Sequence, residues 1–149
     1  YYLMAPKYSK DSKDTKIAID KLQQFINAFP ESEFINKANK LIFELDYRLE
    51  MKEFNIALQY NELTDYQAAI KSFENFLIDF PGSELREKAL YYRFDSAYKL
   101  AVLSVIWKQE ERIKIAEGYF NSFINIYSES EFMDDMETKM IELSKLNKT

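Results

Sequence analysis

The sequence contains one segment three times, and this internal repeat constrains the fold more than any other feature. The segment at residues 18–34 recurs at residues 69–85, 51 positions later, and at residues 116–132, a further 47 positions on. Matching positions include Ala18, Ala69 and Ala116, Phe25, Phe76 and Phe123, and Ser32, Ser83 and Ser130, each serine being followed by a glutamate. Three copies in register predict a repeated unit whose copies bury their apolar faces against one another.

The apolar spacing within each copy is that of an α-helix. In the second copy, apolar side chains fall at positions i, i+3, i+4 and i+7, namely Phe73, Phe76, Leu77 and Phe80. Pro30 and Pro81 predict the end of this helix, because the residue before a proline disfavours α conformation. The serine two positions later is placed to accept a backbone N–H as the N-cap of the next helix. Each unit is therefore predicted to be a helix, a proline turn and a capped helix.

The pattern predicts an all-α chain of about six helices with short connections. The helices are expected near residues 15–29, 33–62, 66–80, 84–107, 112–127 and 131–146, with breaks at 64–66 and 108–111. We expect a single repeat domain over residues 1–149, a fragment of a longer chain, with units at about 1–32, 33–83 and 84–130 and a closing helix at 131–146. The second period is four residues shorter than the first, which we interpret as the loss of about one helical turn.

Composition excludes several classes of function. Of the 149 residues, 47% are apolar and 30% are charged, the balance of a soluble globular protein. Histidine and cysteine are both absent, which excludes disulfides, thiol chemistry, His–Cys zinc sites and histidine-based catalytic triads. The net charge of −5 provides no basic field for nucleic acid. The adjacent carboxylates at 110–111 and 134–135 are interpreted as solvated helix faces, and we expect no enzymatic activity, metal or cofactor.

The segment at residues 56–81 resembles a tetratricopeptide (TPR) repeat. Small residues stand twelve positions apart, where two antiparallel helices would approach closely, at Ala57 and Ala69 and at Ser104 and Ala116. Larger residues follow at Tyr60 and Phe73 and at Trp107 and Phe120, and we expect Trp107 and the repeated Phe25, Phe76 and Phe123 to pack in the core. Because the repeats exceed the usual ~34 residues by roughly four turns, the resemblance implies a TPR-like α-solenoid of antiparallel helix pairs with elongated first helices.

The repeated run Ala-Ile-x-x-Leu/Phe-x-x-Phe-Ile/Leu-x-x-Phe-Pro-x-Ser-Glu is similar to the C-terminal part of the BamD family. BamD is the TPR lipoprotein of the machinery that assembles outer-membrane β-barrels. The resemblance implies a non-catalytic scaffold at the periplasmic face of the outer membrane, held by a lipid anchor outside this fragment. The expected partners are BamA-like POTRA domains and other β-barrel assembly components, with unfolded outer-membrane protein precursors as a further candidate.

Two groups of residues are candidates for the partner surface. At the break near residue 65, Asp65 and Tyr66 present an exposed edge, and the following helix carries Lys71 and Ser72 near the position where BamD relatives contact acidic POTRA residues. Further on, Arg86 and Arg93 are seven residues apart and share a helical face, which Lys88 does not. The alternative is that these side chains only pack locally or are solvated.

A second function remains open, that of a generic TPR adaptor binding an extended peptide or a partner protein in another pathway. A clamp for acidic C-termini needs polar and basic side chains along the first helices. Phe54 and Leu58 stand near those positions, which argues against such a clamp.

Overall fold

The computed structural model describes residues 12–146, which form six α-helices joined by short turns. The helices are α1 (Ser12–Ala28), α2 (Ile35–Glu62), α3 (Tyr66–Asp79), α4 (Arg86–Val102), α5 (Ile106–Ile126) and α6 (Met133–Leu146). This range contains no strand, so the all-α prediction is confirmed, and the packing of adjacent helices is consistent with a TPR-like solenoid. The first part of the predicted unit at 1–32 lies outside the described residues.

The turn that ends each repeated segment makes the same backbone hydrogen bonds in all three copies. In the second copy, the N–H groups of Phe80, Ser83, Arg86 and Ala89 donate to the carbonyls of Phe76, Phe80, Ser83 and Leu85 at 2.8–3.1 Å. The same four bonds begin at Phe29 in the first copy and at Tyr127 in the third. The third copy keeps them although Ser128 stands where the others have proline, so the whole local sequence sets the turn.

The serine of each turn accepts a backbone N–H ahead of the next helix, but it is not the N-cap that was predicted, because the N-cap of α4 is Leu85, which makes no side-chain capping bond. Ser32 Oγ accepts the N–H of Phe34 at 3.2 Å. Ser83 and Ser130 accept the N–H groups of Leu85 and Phe132, both at 3.1 Å. Each hydroxyl therefore satisfies a backbone N–H of the turn, one residue before the helix begins.

A different turn joins α2 to α3. The N–H of Asp65 donates to the carbonyl of Tyr60 at 3.0 Å and that of Thr64 to Asn61 at 3.1 Å, the pattern of a Schellman motif. Thr64 takes a φ of 65°, the left-handed conformation that this motif requires and that glycine adopts most easily. Asp65 then caps α3, because its Oδ1 accepts the N–H of Ala68 at 3.2 Å.

The next break lies earlier than the repeat pattern predicts. Since α4 ends at Val102 and α5 begins at Ile106, residues 108–111 are helical and the break predicted there is wrong. Trp107, expected in the core, lies in the first turn of α5 and is 80% exposed. The physical reason is that the repeat shift differs between helices: buried Phe54 and Ala57 correspond to buried Phe94 and Ala97, 40 positions later, rather than to residues 47 positions later.

The helix lengths explain the change of period. The first helix of the later repeat is shorter, 17 residues in α4 against 28 in α2, whereas the second is longer, 21 residues in α5 against 14 in α3. These differences of eleven and seven residues are about three and two helical turns, so each moves the apolar face by only about 20°. The interpretation as one lost turn is therefore wrong.

The chain divides into two compact units, residues 1–53 and 54–149. In the described part of the first unit, Ala18, Ala38 and Leu45 are buried, and Lys52 Nζ donates to Ser12 Oγ at 2.8 Å. Phe25, expected in the core, is only half-buried. The single repeat domain over the whole chain stays a prediction.

The second unit holds most of the apolar core. Phe54 at the end of α2 packs edge-on against Phe73 and Phe76 of α3, with ring centroids 5.9 and 5.8 Å apart. Phe54 therefore belongs to the core and gives no argument for or against a peptide clamp. A second cluster joins α4, α5 and α6 through buried side chains that include Phe94, Phe123 and Met136. Phe76 and Phe123 are fully buried, as the repeat predicts.

Candidate functional site

The second unit contains a cluster of charged and polar side chains that form hydrogen bonds and ion pairs with one another, here termed the paired cluster. Its members are Asn61 of α2, Tyr91, Asp95, Ser96 and Lys99 of α4, and Asp135 and Lys139 of α6. Asp95 is only 3% exposed, and its two carboxylate oxygens accept from Lys139 at 2.8 Å and from Lys99 at 2.8 Å. Lys139 also donates to Asp135 at 2.6 Å and to Tyr91 at 3.0 Å. Two carboxylates and two ammonium groups give no net charge.

The pKa values of the paired cluster reflect this pairing. Burial by itself raises the pKa of Asp95, but the hydrogen bonds from Lys139 and Lys99 hold it below its usual range. The pKa of Lys139 is raised above its ordinary value: burial alone would lower it, but the hydrogen bonds that it donates to Asp135, Asp95 and Tyr91 outweigh that effect. Asp135 is exposed, as the solvated-face interpretation predicts, and in addition it accepts hydrogen bonds from Tyr91 and Lys139. The charges of the cluster are paired with one another.

A second charged site has the opposite character. Helices α3, α4 and α5 form an open groove of about 390 Å³, here termed the cationic groove. Its apolar lining is Leu77, Ile78, Leu90 and Ile126, and its polar lining is Lys71, Glu74, Arg86, Arg93 and Ser122. Three cations against one carboxylate give a local excess of positive charge in a chain whose net charge is −5.

The cations of the groove have no hydrogen-bonding or ion-pair partners in the described part of the chain. Arg93 instead stacks on Tyr119, with the guanidinium carbon 4.0 Å from the ring centroid, and its Nε is buried without a hydrogen-bond acceptor. The one carboxylate, Glu74, accepts the Tyr119 hydroxyl at 2.8 Å. Burial lowers the pKa of Arg93 from its ordinary value, while burial and the Glu74 hydrogen bond raise the pKa of Tyr119 to about 12, so that its hydroxyl keeps its proton.

The structure brings together three of the six predicted partner-site residues. Lys71, Arg86 and Arg93 all line the cationic groove, whereas Lys88 does not. Asp65 and Tyr66 lie at the α2–α3 turn instead, and the Tyr66 ring faces Lys99 of the paired cluster at 5.9 Å. Ser72 is half-buried on α3 and does not line the groove.

Sequence reasoning missed the other side of the groove. Glu74 and Tyr119 are 45 residues apart, and no sequence motif marks either of them as a binding residue. The one available signal was the repeat itself, because equivalent second helices of consecutive repeats pack on the same intervening helix.

The described residues also bear on metals and membranes. Between residues 12 and 146, no group of acidic side chains is arranged to hold a metal ion. No helix in that range combines the length and the apolar character needed to cross a bilayer.

Comparison with known families gives the chain its context. Residues 2–113 match the family described as YfiO, outer membrane lipoprotein. The chain belongs to this family. The resemblance to BamD drawn from the repeats is thereby confirmed, since YfiO is the BamD-like family. Among curated proteins, no sequence matches the chain.

Membership of this family associates the chain with the outer membrane. It includes Lys71, Glu74, Arg86 and Arg93 and ends inside α5, before Tyr119 and Ser122. One wall of the cationic groove therefore lies beyond the matched region.

Proposed function

We propose that this YfiO-family chain is a non-catalytic scaffold of the outer-membrane β-barrel assembly machinery, at the periplasmic face of the membrane, and that it binds a POTRA domain of a BamA-like protein. The observation that carries the proposal is the cationic groove, where three cations without partners surround an apolar floor. An exposed apolar surface bordered by unpaired charge is typical of an interaction site. Membership of an outer membrane lipoprotein family supports the location.

The role of each groove residue follows from its exposure. Lys71 is exposed and Arg86 is half-buried, so both can reach acidic side chains at the rim of a partner. Rim charges of this kind mainly raise the association rate and fix the orientation of the partner. Ile78 and Ile126 are exposed and supply the apolar contact area between the charges.

The test is the affinity of the full-length protein for the POTRA domains of the BamA-like protein of the same organism, measured by calorimetry. The double variant Lys71→Glu with Arg86→Glu is expected to weaken binding at least tenfold, about 1.4 kcal/mol. Lys88→Glu is the matched control, because Lys88 is an exposed cation of α4 outside the groove. No binding by the wild-type protein would remove the proposal, and equal affinity of both variants would remove this site.

A TPR adaptor of another pathway is the second candidate. The open form and apolar floor of the groove favour it, because an extended peptide could lie there as well as a folded domain. The two functions separate in the same experiment, since the adaptor would bind no POTRA domain. Unfolded outer-membrane protein precursors are proposed as additional cargo of the first function only.

A further inference from the structure

The Arg93 side chain has a buried N–H group, at Nε, that the fold of residues 12–146 leaves without a hydrogen-bond acceptor. A buried guanidinium N–H without an acceptor is destabilising, and native structures usually pair such groups. Yet Glu74, the nearest carboxylate of the groove, is held by the Tyr119 hydroxyl at 2.8 Å rather than by Arg93. The guanidinium lies over Tyr119, with its central carbon 4.0 Å from the ring centroid. The Nε–H of Arg93 is thus left without an acceptor among the described residues.

The surroundings of Arg93 indicate what could complete it. Arg86 and Lys71 add two further positive charges to the same groove, and neither is paired within residues 12–146. A planar guanidinium is well suited to bind a carboxylate through two parallel hydrogen bonds. Leu77, Leu90 and Ile126 lie beside these cations and offer contact only to apolar side chains.

We propose that the cationic groove binds an acidic segment of a partner protein, in which a carboxylate that pairs with Arg93 is flanked by apolar residues. The argument is charge complementarity. The chain is acidic overall, yet three cations without ion-pair partners in its described part lie together beside apolar side chains, and an acidic, partly apolar segment matches this surface. This inference rests on the proposed function, because the segment belongs to a protein that the scaffold recruits. It goes further because it names the chemistry of that segment and the residue, Arg93, that binds its carboxylate.

The experiment uses two short synthetic peptides with capped ends, one with two glutamates between leucines and one with glutamine at both positions. Each is titrated into the full-length protein, and the nuclear magnetic resonance signal of the Arg93 Nε–H is followed. The acidic peptide is expected to shift this signal and to bind at least tenfold more tightly than the glutamine peptide. A side chain with only a structural role would respond to neither.

Variants test whether Arg93 itself is responsible. Arg93→Ala is expected to weaken binding of the acidic peptide at least tenfold, and Arg93→Lys is expected to recover only part of it, because lysine keeps the charge and loses the planar pair of donors. Lys88→Ala, on the same helix and outside the groove, should leave the affinity unchanged. Circular dichroism of each variant confirms that the helices are intact.

Each outcome decides one point. Equal binding of the two peptides, binding of neither, or an unaltered affinity of Arg93→Ala would overturn the inference. Acidic-peptide binding without POTRA binding would keep the inference for the groove and remove the proposed function. POTRA binding that is unaffected by Arg93→Ala would keep the proposed function and remove the inference about the groove. Concentration-dependent self-association lost in Arg93→Ala would assign the groove to a second copy of the chain and overturn the proposal.

Discussion

Opposite faces of α4 carry charged residues that are used in opposite ways. Arg86, Leu90 and Arg93 lie on the face that lines the cationic groove. Tyr91, Asp95 and Lys99 lie about 180° around the helix, at 100° per residue, and belong to the paired cluster. Asp95 and Lys99 on the second face are ion-paired, whereas Arg86 and Arg93 on the first face form no ion pair with the described residues.

This contrast separates two roles that charge can have in a repeat protein. A cluster with no net charge contributes to holding helices together, because removing its most buried charge, Asp95, leaves Lys139 and Lys99 without their shared partner. An open set of like charges forms no ion pairs within the fold and gains them only from another molecule. We therefore expect substitutions on the two faces to change different measurements.

The largest effect is expected from Asp95→Ala. Removing this carboxylate, which is 3% exposed, leaves Lys139 and Lys99 without their shared partner and Asn61 without one of its acceptors. Loss of one member of a buried ionic cluster costs about 3 kcal/mol. Urea denaturation of the purified protein measures the free energy of unfolding.

The matched control for Asp95 is an exposed ion pair. Glu110 accepts Lys114 at 3.0 Å, and both side chains are more than two-thirds exposed. Glu110→Ala should therefore lower the free energy of unfolding by less than about 0.5 kcal/mol. If the two substitutions cost the same, the paired cluster does not stabilise the fold.

Acid should destabilise the protein through the same cluster. Burial alone would raise the pKa of Asp95, but the hydrogen bonds from Lys139 and Lys99 outweigh it and lower that pKa below the value in the unfolded chain. The resulting stability is present above about pH 4 and is lost as the pH falls through the lower folded-state value, at about 1.4 kcal/mol per pKa unit of difference.

The measurement is urea denaturation at several pH values between about 2 and 6. Asp95→Asn cannot titrate, so its free energy of unfolding should fall less steeply with acid than that of the wild type. Asp135 contributes in the same direction, because its pKa is also lowered, burial being outweighed by Lys139 and Tyr91. Parallel curves for the two proteins would assign the acid sensitivity elsewhere.

The contrast between the two faces was only half predictable from the sequence. The spacing of seven residues places Arg86 and Arg93 on one face whatever the tertiary structure, and the three serine hydrogen bonds are local. The shared face is confirmed; the serines accept backbone N–H groups as predicted but are not the N-caps, since Leu85 is that of α4. The helix break at residues 103–105 was predicted at residues 108–111 instead. Its position depends on which helices lengthen, and the repeat pattern alone does not determine this.

The partners of each charged residue could not be predicted. Asn61 and Asp95 are 34 residues apart, and Asp95 and Lys139 are 44 apart, so their contacts exist only once three helices have packed. Tyr119 reaches Arg93 only because α5 packs beside α4. Local patterns determine which face a side chain occupies, and packing determines whether its charge is paired.

A substitution in the α2–α3 turn, beside the paired cluster, should stabilise the fold and leave the cationic groove unchanged. Thr64 has a φ of 65°, a conformation that is strained for a β-branched residue. Thr64→Gly should raise the free energy of unfolding by about 1 kcal/mol, as glycine removes this strain. Ser104→Gly is the control, since the corresponding turn has no positive φ and its hydroxyl accepts Arg112 at 2.6 Å. If both substitutions raised the free energy of unfolding, relief of strain at Thr64 would not be the cause of the stabilisation.

The smallest change in stability is expected on the open face. Arg93→Met removes a guanidinium whose Nε lacks an acceptor, keeps apolar volume beside Tyr119 and loses the stacking interaction, so these effects largely cancel. The free energy of unfolding should change by less than about 1 kcal/mol, well below the effect of Asp95→Ala, while affinity for an acidic partner falls. A loss of stability as large as that of Asp95→Ala would mean that Arg93 is a structural residue and that the two faces of α4 do not differ in role.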